Sequence, residues 1–120
     1  MACVFVVDDE AAIAFTLAAI LKINGYDARS FVNPLEALEA ITTVRPDLLI
    51  SDVMMPEMSG IDLAVHLKEE CPTCKVLLFS GRAQTADLLE AARKQGHDFQ
   101  LLAKPVHPDD LLARIKDAQA

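Results

Sequence analysis

The sequence has few basic residues and no long apolar stretch. The 120-residue chain carries 11 lysines and arginines against 18 aspartates and glutamates, so its formal net charge is −7, and the basic residues form no cluster. Proteins that bind nucleic acid directly use basic patches against the phosphates, so this composition argues against nucleic acid as a direct partner. No apolar run approaches the roughly 20 residues of a membrane-spanning helix. The excess of acidic residues is compatible with a bound cation.

The sequence also lacks an export signal, internal repeats and low-complexity segments. Its N-terminus, MACVFVVDDE, turns acidic too soon for a signal peptide. Three cysteines, an odd number, then indicate a reducing cytoplasm rather than a disulfide framework. Hydrophobic residues make up 52% of the chain, too many for a disordered protein. Because the sequence contains no segment that resembles an interdomain linker, we expect one domain over residues 1–120.

Apolar runs and amphipathic stretches alternate along the chain. The pattern predicts strands at 3–7, 27–31, 47–51, 75–80 and 99–103, with the second at an edge because it is the most polar. Helices are predicted after each strand, at about 10–24, from Pro34, at about 59–70, at 85–95 and from Pro108. Asn33 and Ser59 are candidate N-caps, and Gly25 and Gly96 follow helix ends. Five βα units with short connections predict a parallel sheet with helices on both faces.

Polar side chains follow the strands at their carboxyl ends, where open α/β sheets bind ligands. Three carboxylates at one sheet edge would repel one another, and a hard divalent cation with oxygen ligands, such as Mg²⁺, would relieve that repulsion. A lysine at the same edge would add a second positive charge. The residues at these strand ends are Asp8, Asp9, Glu10, Asp52, Ser80, Gly81, Lys104 and Pro105.

Four motifs together resemble those of bacterial response-regulator receiver domains. They are VVDDE at 6–10, DVMMPEMSG at 52–60, Ser80 after VLLF, and KP at 104–105. Each alone is a weak signal, and an acidic pair or a lone Lys-Pro is common by chance, but all four occur in this order and each stands at a predicted strand end. The resemblance covers essentially all 120 residues. It implies a flavodoxin-like (βα)5 fold with a five-stranded parallel sheet in the order 2-1-3-4-5.

The resemblance also implies a function, a phosphoacceptor signalling switch that catalyses only its own phosphorylation and dephosphorylation. The phosphoryl group would come from a sensor histidine kinase or a histidine phosphotransfer protein. It would change the surface around the fourth helix and fifth strand for an unknown downstream protein or a homodimer. Whether an output region follows residue 120 is open. The implied residues are Asp52 as phosphoacceptor; Asp8, Asp9, Asp52 and the Met54 backbone carbonyl on Mg²⁺ or Mn²⁺; and Lys104 and Ser80 on the phosphoryl group, with Pro105 after a cis peptide.

Other interpretations remain for these residues. Asp8 or Asp9 can cap the first helix, Asp52 can be a turn residue, and Met54 can be a packing residue. A haloacid-dehalogenase phosphatase would need a D-x-D motif at the first strand, and the adjacent aspartates do not match it. A receiver used as a phosphorylation-independent interaction module is the alternative function, although the acidic residues that such modules lack are present.

Two further features need an interpretation. The C-x-x-C segment Cys71–Cys74 can be a redox pair or half of a zinc site. It lies between a helix end and a strand, with only His66 nearby in sequence, so we interpret it as structural. Receivers usually place Tyr or Phe three residues before the lysine of the fifth strand, whereas this chain has Leu101 there. The only aromatic residue of that segment is Phe99.

Overall fold

The computed structural model describes residues 2–80, 85–96, 99–103 and 107–119. No helix within these ranges has both the length and the apolar character to cross a membrane. Strands and helices alternate as predicted, and each strand boundary is within one residue of its prediction. The elements are β1 (Cys3–Val7), α1 (Ala11–Ile23), β2 (Asp27–Phe31), α2 (Pro34–Ile41), β3 (Leu48–Asp52), α3 (Gly60–Glu70), β4 (Lys75–Ser80), α4 (Thr85–Lys94), β5 (Gln100–Ala103) and α5 (Pro108–Gln119).

The strands form one parallel sheet in the order β2-β1-β3-β4-β5, which confirms the predicted architecture. The chain runs from β1 outward to β2 and then returns to the other side of β1 to form β3. Strand order therefore reverses between β1 and β3. In open α/β sheets a crevice forms at this reversal, outside the carboxyl ends of the two strands.

Side chains of the central strands alternate between two apolar cores, one on each face of the sheet. Val4 and Val6 of β1 pack with buried residues of α1 and α5. Phe5 and Val7 of the same strand pack with buried residues of α2 and α3. Burial on both faces explains why the sequence of β1 is a continuous apolar run rather than an alternating one.

Local signals set the ends of the helices. The Asn33 side chain accepts the backbone N–H of Leu35 at 2.8 Å, and Ser59 Oγ accepts that of Asp62 at 3.0 Å, so both predicted caps are confirmed. Past the ends of α1 and α4 the chain turns through glycines, Gly25 and Gly96, with φ of 91° and 92°. Residues with a Cβ atom rarely adopt this backbone conformation, which explains why both positions are glycine.

The C-x-x-C segment is part of the core at the amino-terminal edge of the sheet. Cys71 ends α3 and Cys74 precedes β4, and both thiols are buried among apolar neighbours. Burial, with a further contribution from the adjacent Cys71, raises the pKa of the Cys74 thiol from its ordinary 9.0 to about 12. The thiolate is the nucleophilic and metal-binding form, so this environment supports the structural interpretation of the pair.

Candidate functional site

Three carboxylates meet at the point where strand order reverses. Asp8 and Asp9 directly follow β1, and Asp52 is the last residue of β3. The two strands are neighbours, with Val7 of β1 opposite Ser51 of β3. One carboxylate oxygen from each aspartate lies within 4.8 Å of those from the other two. Side chains that the sequence placed at separate strand ends therefore form one cluster.

The members of this cluster differ in exposure. Asp8 is fully buried and Asp52 is 6% exposed, whereas Asp9 faces solvent. Ser80, the last residue of β4, is buried as well. It stands next to the cluster in the sheet because the preceding residue, Phe79, pairs with Asp52. The site is therefore buried at Asp8, Asp52 and Ser80 and open to solvent at Asp9.

The donor set of the cluster fits a hard divalent cation. Carboxylate oxygens this close repel one another when ionised, and a cation between them removes that repulsion. Mg²⁺ binds oxygen ligands in octahedral geometry and usually keeps several waters. Three carboxylates leave further coordination positions for waters or for an oxygen of another ligand. The residues present are therefore suited to Mg²⁺ or Mn²⁺.

Asp8 also serves the local backbone. Its Oδ1 accepts the N–H of Glu10 at 2.9 Å, and its own N–H donates to the Phe31 carbonyl of β2 at 3.1 Å. The N-cap residue of α1 is Glu10, whose side chain makes no cap hydrogen bond. Asp8 thus fixes the turn from β1 into α1 without capping the helix. Its orientation in the cluster is set by that turn.

Hydrogen bonds to the main chain of Asp52 and Val53 fix the position of the end of β3. Ser51 Oγ donates to the Asp52 carbonyl at 2.9 Å. The next residue, Val53, donates its N–H to the Phe79 carbonyl of β4 at 3.2 Å and accepts the N–H of Gly60 at 2.8 Å. The last bond closes the loop 53–59 onto the first residue of α3. Neither Ser51 nor Gly60 was predicted to have a role of its own at the site, although Gly60 is the last residue of the DVMMPEMSG motif.

The methionines of this loop contribute packing. Met54, Met55 and Met58 are partly buried against the core formed with α2 and α3. This agrees with their interpretation as packing residues rather than as a sulfur site. Met54 follows Asp52 by two residues, so its main chain belongs to the same loop that borders the cluster.

Several predicted site features lie outside the described residues. They are Lys104 with its proline and the predicted cis peptide, and the loop that begins at Gly81. The structure therefore brings together the three aspartates and Ser80, and the predicted role of Lys104 remains a sequence-based expectation.

Comparison with known proteins agrees with this architecture. The sequence model of the family "Response regulator receiver domain" matches residues 4–116. The chain is 32% identical over 115 residues to the DNA-binding transcriptional regulator NtrC of Proteus hauseri, covering 96% of this chain but only 24% of NtrC. It thus spans about a quarter of that relative's length.

Solved structures show the same fold. A response regulator receiver domain protein of Clostridium thermocellum superimposes with a TM-score of 0.86 at 31% identity, covering 98% of this chain and 94% of that one. The chemotaxis protein CheY4 of Vibrio cholerae superimposes with a TM-score of 0.84 at 28% identity, covering 98% of both chains. The five-stranded parallel sheet is therefore the architecture of these proteins.

Proposed function

The chain belongs to the response regulator receiver domain family, and we propose that it is a Mg²⁺-dependent switch whose phosphoacceptor is Asp52. Receiver domains are signalling switches of two-component systems rather than classical enzymes, and their phosphoacceptor role implies a kinase partner. The observation that carries the proposal is the convergence of Asp8, Asp9 and Asp52 beside Ser80 at the reversal of strand order.

Asp52 is the aspartate best placed to react. Asp8 is fully buried and one of its oxygens accepts the Glu10 N–H, and Asp9 is exposed at the rim. Asp52 ends a central strand paired on both sides, so its main chain is held firmly. Its 6% exposure gives access from the open side while burial limits competing water. A fixed carboxylate can act as a nucleophile toward phosphorus.

The proposed reaction transfers a phosphoryl group from a phosphohistidine of the partner. An Asp52 carboxylate oxygen attacks the phosphorus in line with the P–N bond, which breaks as its electron pair leaves with the imidazole nitrogen. The product on this chain is an acyl phosphate. Such transfers depend mainly on positioning and on neutralisation of charge. Mg²⁺ would be held by the three aspartates and the Met54 carbonyl, and would supply that neutralisation.

Two side chains are proposed to bind the phosphoryl group once it is on Asp52. The Ser80 hydroxyl, at the adjacent strand end, would donate to one phosphoryl oxygen and so sense its presence. Lys104 would contact a second oxygen as a cation. Asp9 lies on the exposed side of the cluster, and the partner histidine would approach Asp52 from that side. The downstream partner is proposed to be a protein, since a net charge of −7 argues against direct binding of nucleic acid.

Chemical phosphorylation tests the assignment. Incubation with acetyl phosphate and Mg²⁺ should add one phosphoryl group, stable in acid and labile in base, and peptide mass spectrometry should place it on Asp52. Asp52→Asn should abolish it. Asp62→Asn, the same change at an exposed residue of α3, should be labelled like the wild-type protein. Labelling that persists in Asp52→Asn would contradict the assignment, and an unlabelled wild-type protein would favour a phosphorylation-independent interaction module.

A further inference from the structure

Gly60 touches the main chain of the proposed phosphoacceptor. It is the first residue of α3 and is buried. A Cβ atom at this position would lie 2.0 Å from the Asp52 carbonyl oxygen and 2.8 Å from Ser51 Oγ. Real Cβ atoms essentially never approach another atom closer than 3.0 Å. The start of α3 therefore packs against Asp52 at a distance that only glycine permits.

The usual reasons for glycine do not apply at Gly60. Among the described residues, the glycines with positive φ are Gly25 and Gly96, so Gly60 has a conformation open to any residue. Glycine is also a poor helix former, and α3 begins with it. The remaining reason is space, and the space is taken by the Asp52 carbonyl.

If a larger residue replaced Gly60, either Asp52 or α3 would have to move, and either movement would disturb the site. Separation of the two atoms by about 1 Å is needed to reach the shortest distance that real contacts show. If Asp52 moves, its carboxylate leaves its position beside Asp8 and Asp9. If α3 moves, the bond from the Gly60 N–H to the Val53 carbonyl pulls the loop that carries Met54. Both movements displace a proposed ligand of the cation.

We propose that Gly60 and Ser51 are positioning residues that hold the Asp52 carboxylate in register with the other two aspartates. Gly60 lets α3 pack against the Asp52 carbonyl, and Ser51 donates its hydroxyl to that same oxygen. Neither residue contacts the phosphoryl group in this scheme. The inference rests on the proposed function, because it concerns how the phosphoacceptor is aimed.

Gly60→Ala tests the proposal by two measurements, the maximal rate of labelling by acetyl phosphate and the dissociation constant for Mg²⁺ from titration calorimetry. Misplacement of reacting groups by 1 Å costs roughly 100-fold in rate, so a loss of that order is expected. Mg²⁺ binding should weaken in parallel. Ser51→Ala, which removes the hydrogen bond without crowding, should lower both properties by a smaller factor.

Gly25→Ala is the matched control. It makes the same chemical change after α1, where positive φ strains the alanine although nothing lies within 4 Å of the added atom. It should lower the melting temperature and leave the labelling rate and Mg²⁺ affinity of the folded protein unchanged. A merely structural role for Gly60 would give this same result.

The outcomes separate the two proposals. Wild-type labelling together with unchanged labelling and Mg²⁺ affinity in Gly60→Ala would overturn the positioning role alone. If Gly60→Ala does not fold, Ser51→Ala decides, and wild-type values for that variant would reject the proposal. If the wild-type protein binds Mg²⁺ but is not labelled, the proposed function fails, and the Mg²⁺ affinities still test the positioning role.

Discussion

Cys74 illustrates at the scale of one residue how burial acts on a titratable group. Its side chain is 1% exposed, in the core between α3 and the sheet, and its pKa is raised from 9.0 to about 12, first by burial and then by the Cys71 thiol. The folded protein thus keeps the proton more tightly than the unfolded chain does. The protonated thiol contributes stability that is fully present below pH 9 and is lost as pH rises toward 12.

Alkaline melting curves should reveal this linkage. Between pH 8 and pH 10.5 the melting temperature of the wild-type protein should fall more steeply than that of Cys74→Ala, which has no thiol to ionise. Val76→Ala is the control, because it opens a cavity in the same core without removing a titrating group. It should cost about 1 kcal/mol or more at neutral pH and keep the wild-type slope. Equal slopes in all three proteins would contradict the raised pKa.

The residues of the site were predictable to different degrees. Asp8, Asp9, Asp52 and Ser80 could be predicted because each follows an apolar run, and the carboxyl ends of parallel strands lie at one edge. Ser51 and Gly60 could not, because their importance lies in contacts with a main-chain oxygen. The sequence signals for Gly60 were its place at the end of the DVMMPEMSG motif and at the start of a helix, where residues with better helix propensity are usual.

At the scale of elements, β5 departs most from the expected pattern. Leu101, at the position usually held by an aromatic residue, is 39% exposed on this edge strand. Phe99 precedes the strand and packs against the core formed with α2 and α3. Position 101 therefore has no aromatic ring that could move inward upon the proposed binding of a phosphoryl group by Ser80. We infer that the response leaves Ser80 through residues 81–85 and the start of α4 instead.

Hydrogen exchange with and without a phosphoryl mimic such as beryllofluoride tests this route. Changes should concentrate in residues 81–90, with little change around Leu101. Asp52→Asn, treated identically, should show no change in either segment. Strong and equal protection across β5 and α5 would show that the usual surface carries the signal, and the inference would then be wrong.

Strand boundaries were predicted to within one residue for the buried central strands and for the edge strands alike. β1, β2 and β4 begin and end at the predicted residues. β3 begins and ends one residue later than predicted, and β5 begins one residue later. The conformation of the loop 53–59 was not predicted, because it depends on bonds to residues distant in sequence, such as that from the Val53 N–H to the Phe79 carbonyl.

At the scale of the whole molecule, the topology concentrates negative charge at one edge. The reversal of strand order places Asp8, Asp9 and Asp52 together in a chain that already carries a net charge of −7. Alternation of strands and helices was sufficient to predict a parallel sheet, and the polar residues of β2 predicted its edge position, but the rest of the strand order came from the resemblance to receivers. Side-chain periodicity does not distinguish a sheet in which β1 is central from one in which it lies at an edge.

This concentration of charge predicts that Mg²⁺ stabilises the whole fold. A ligand that binds only the native state adds RT ln(1 + [L]/Kd), about 2.7 kcal/mol at a hundredfold excess over Kd. The melting temperature of the wild-type protein should therefore rise with millimolar Mg²⁺ and return to its starting value with a chelator. Asp9→Ala should lose most of this rise, because it removes one oxygen ligand.

Metal-free melting separates binding from general charge effects. Asp9→Ala removes one of three carboxylates within 4.8 Å of one another, so its metal-free melting temperature should equal or exceed that of the wild-type protein. Glu39→Ala removes the same charge from an exposed site on α2 and should keep the full response to Mg²⁺. The two melting curves of wild type and Asp9→Ala should thus change order when Mg²⁺ is added. A rise of equal size in all three proteins would mean that the ion acts by screening, and the cluster would not be its binding site.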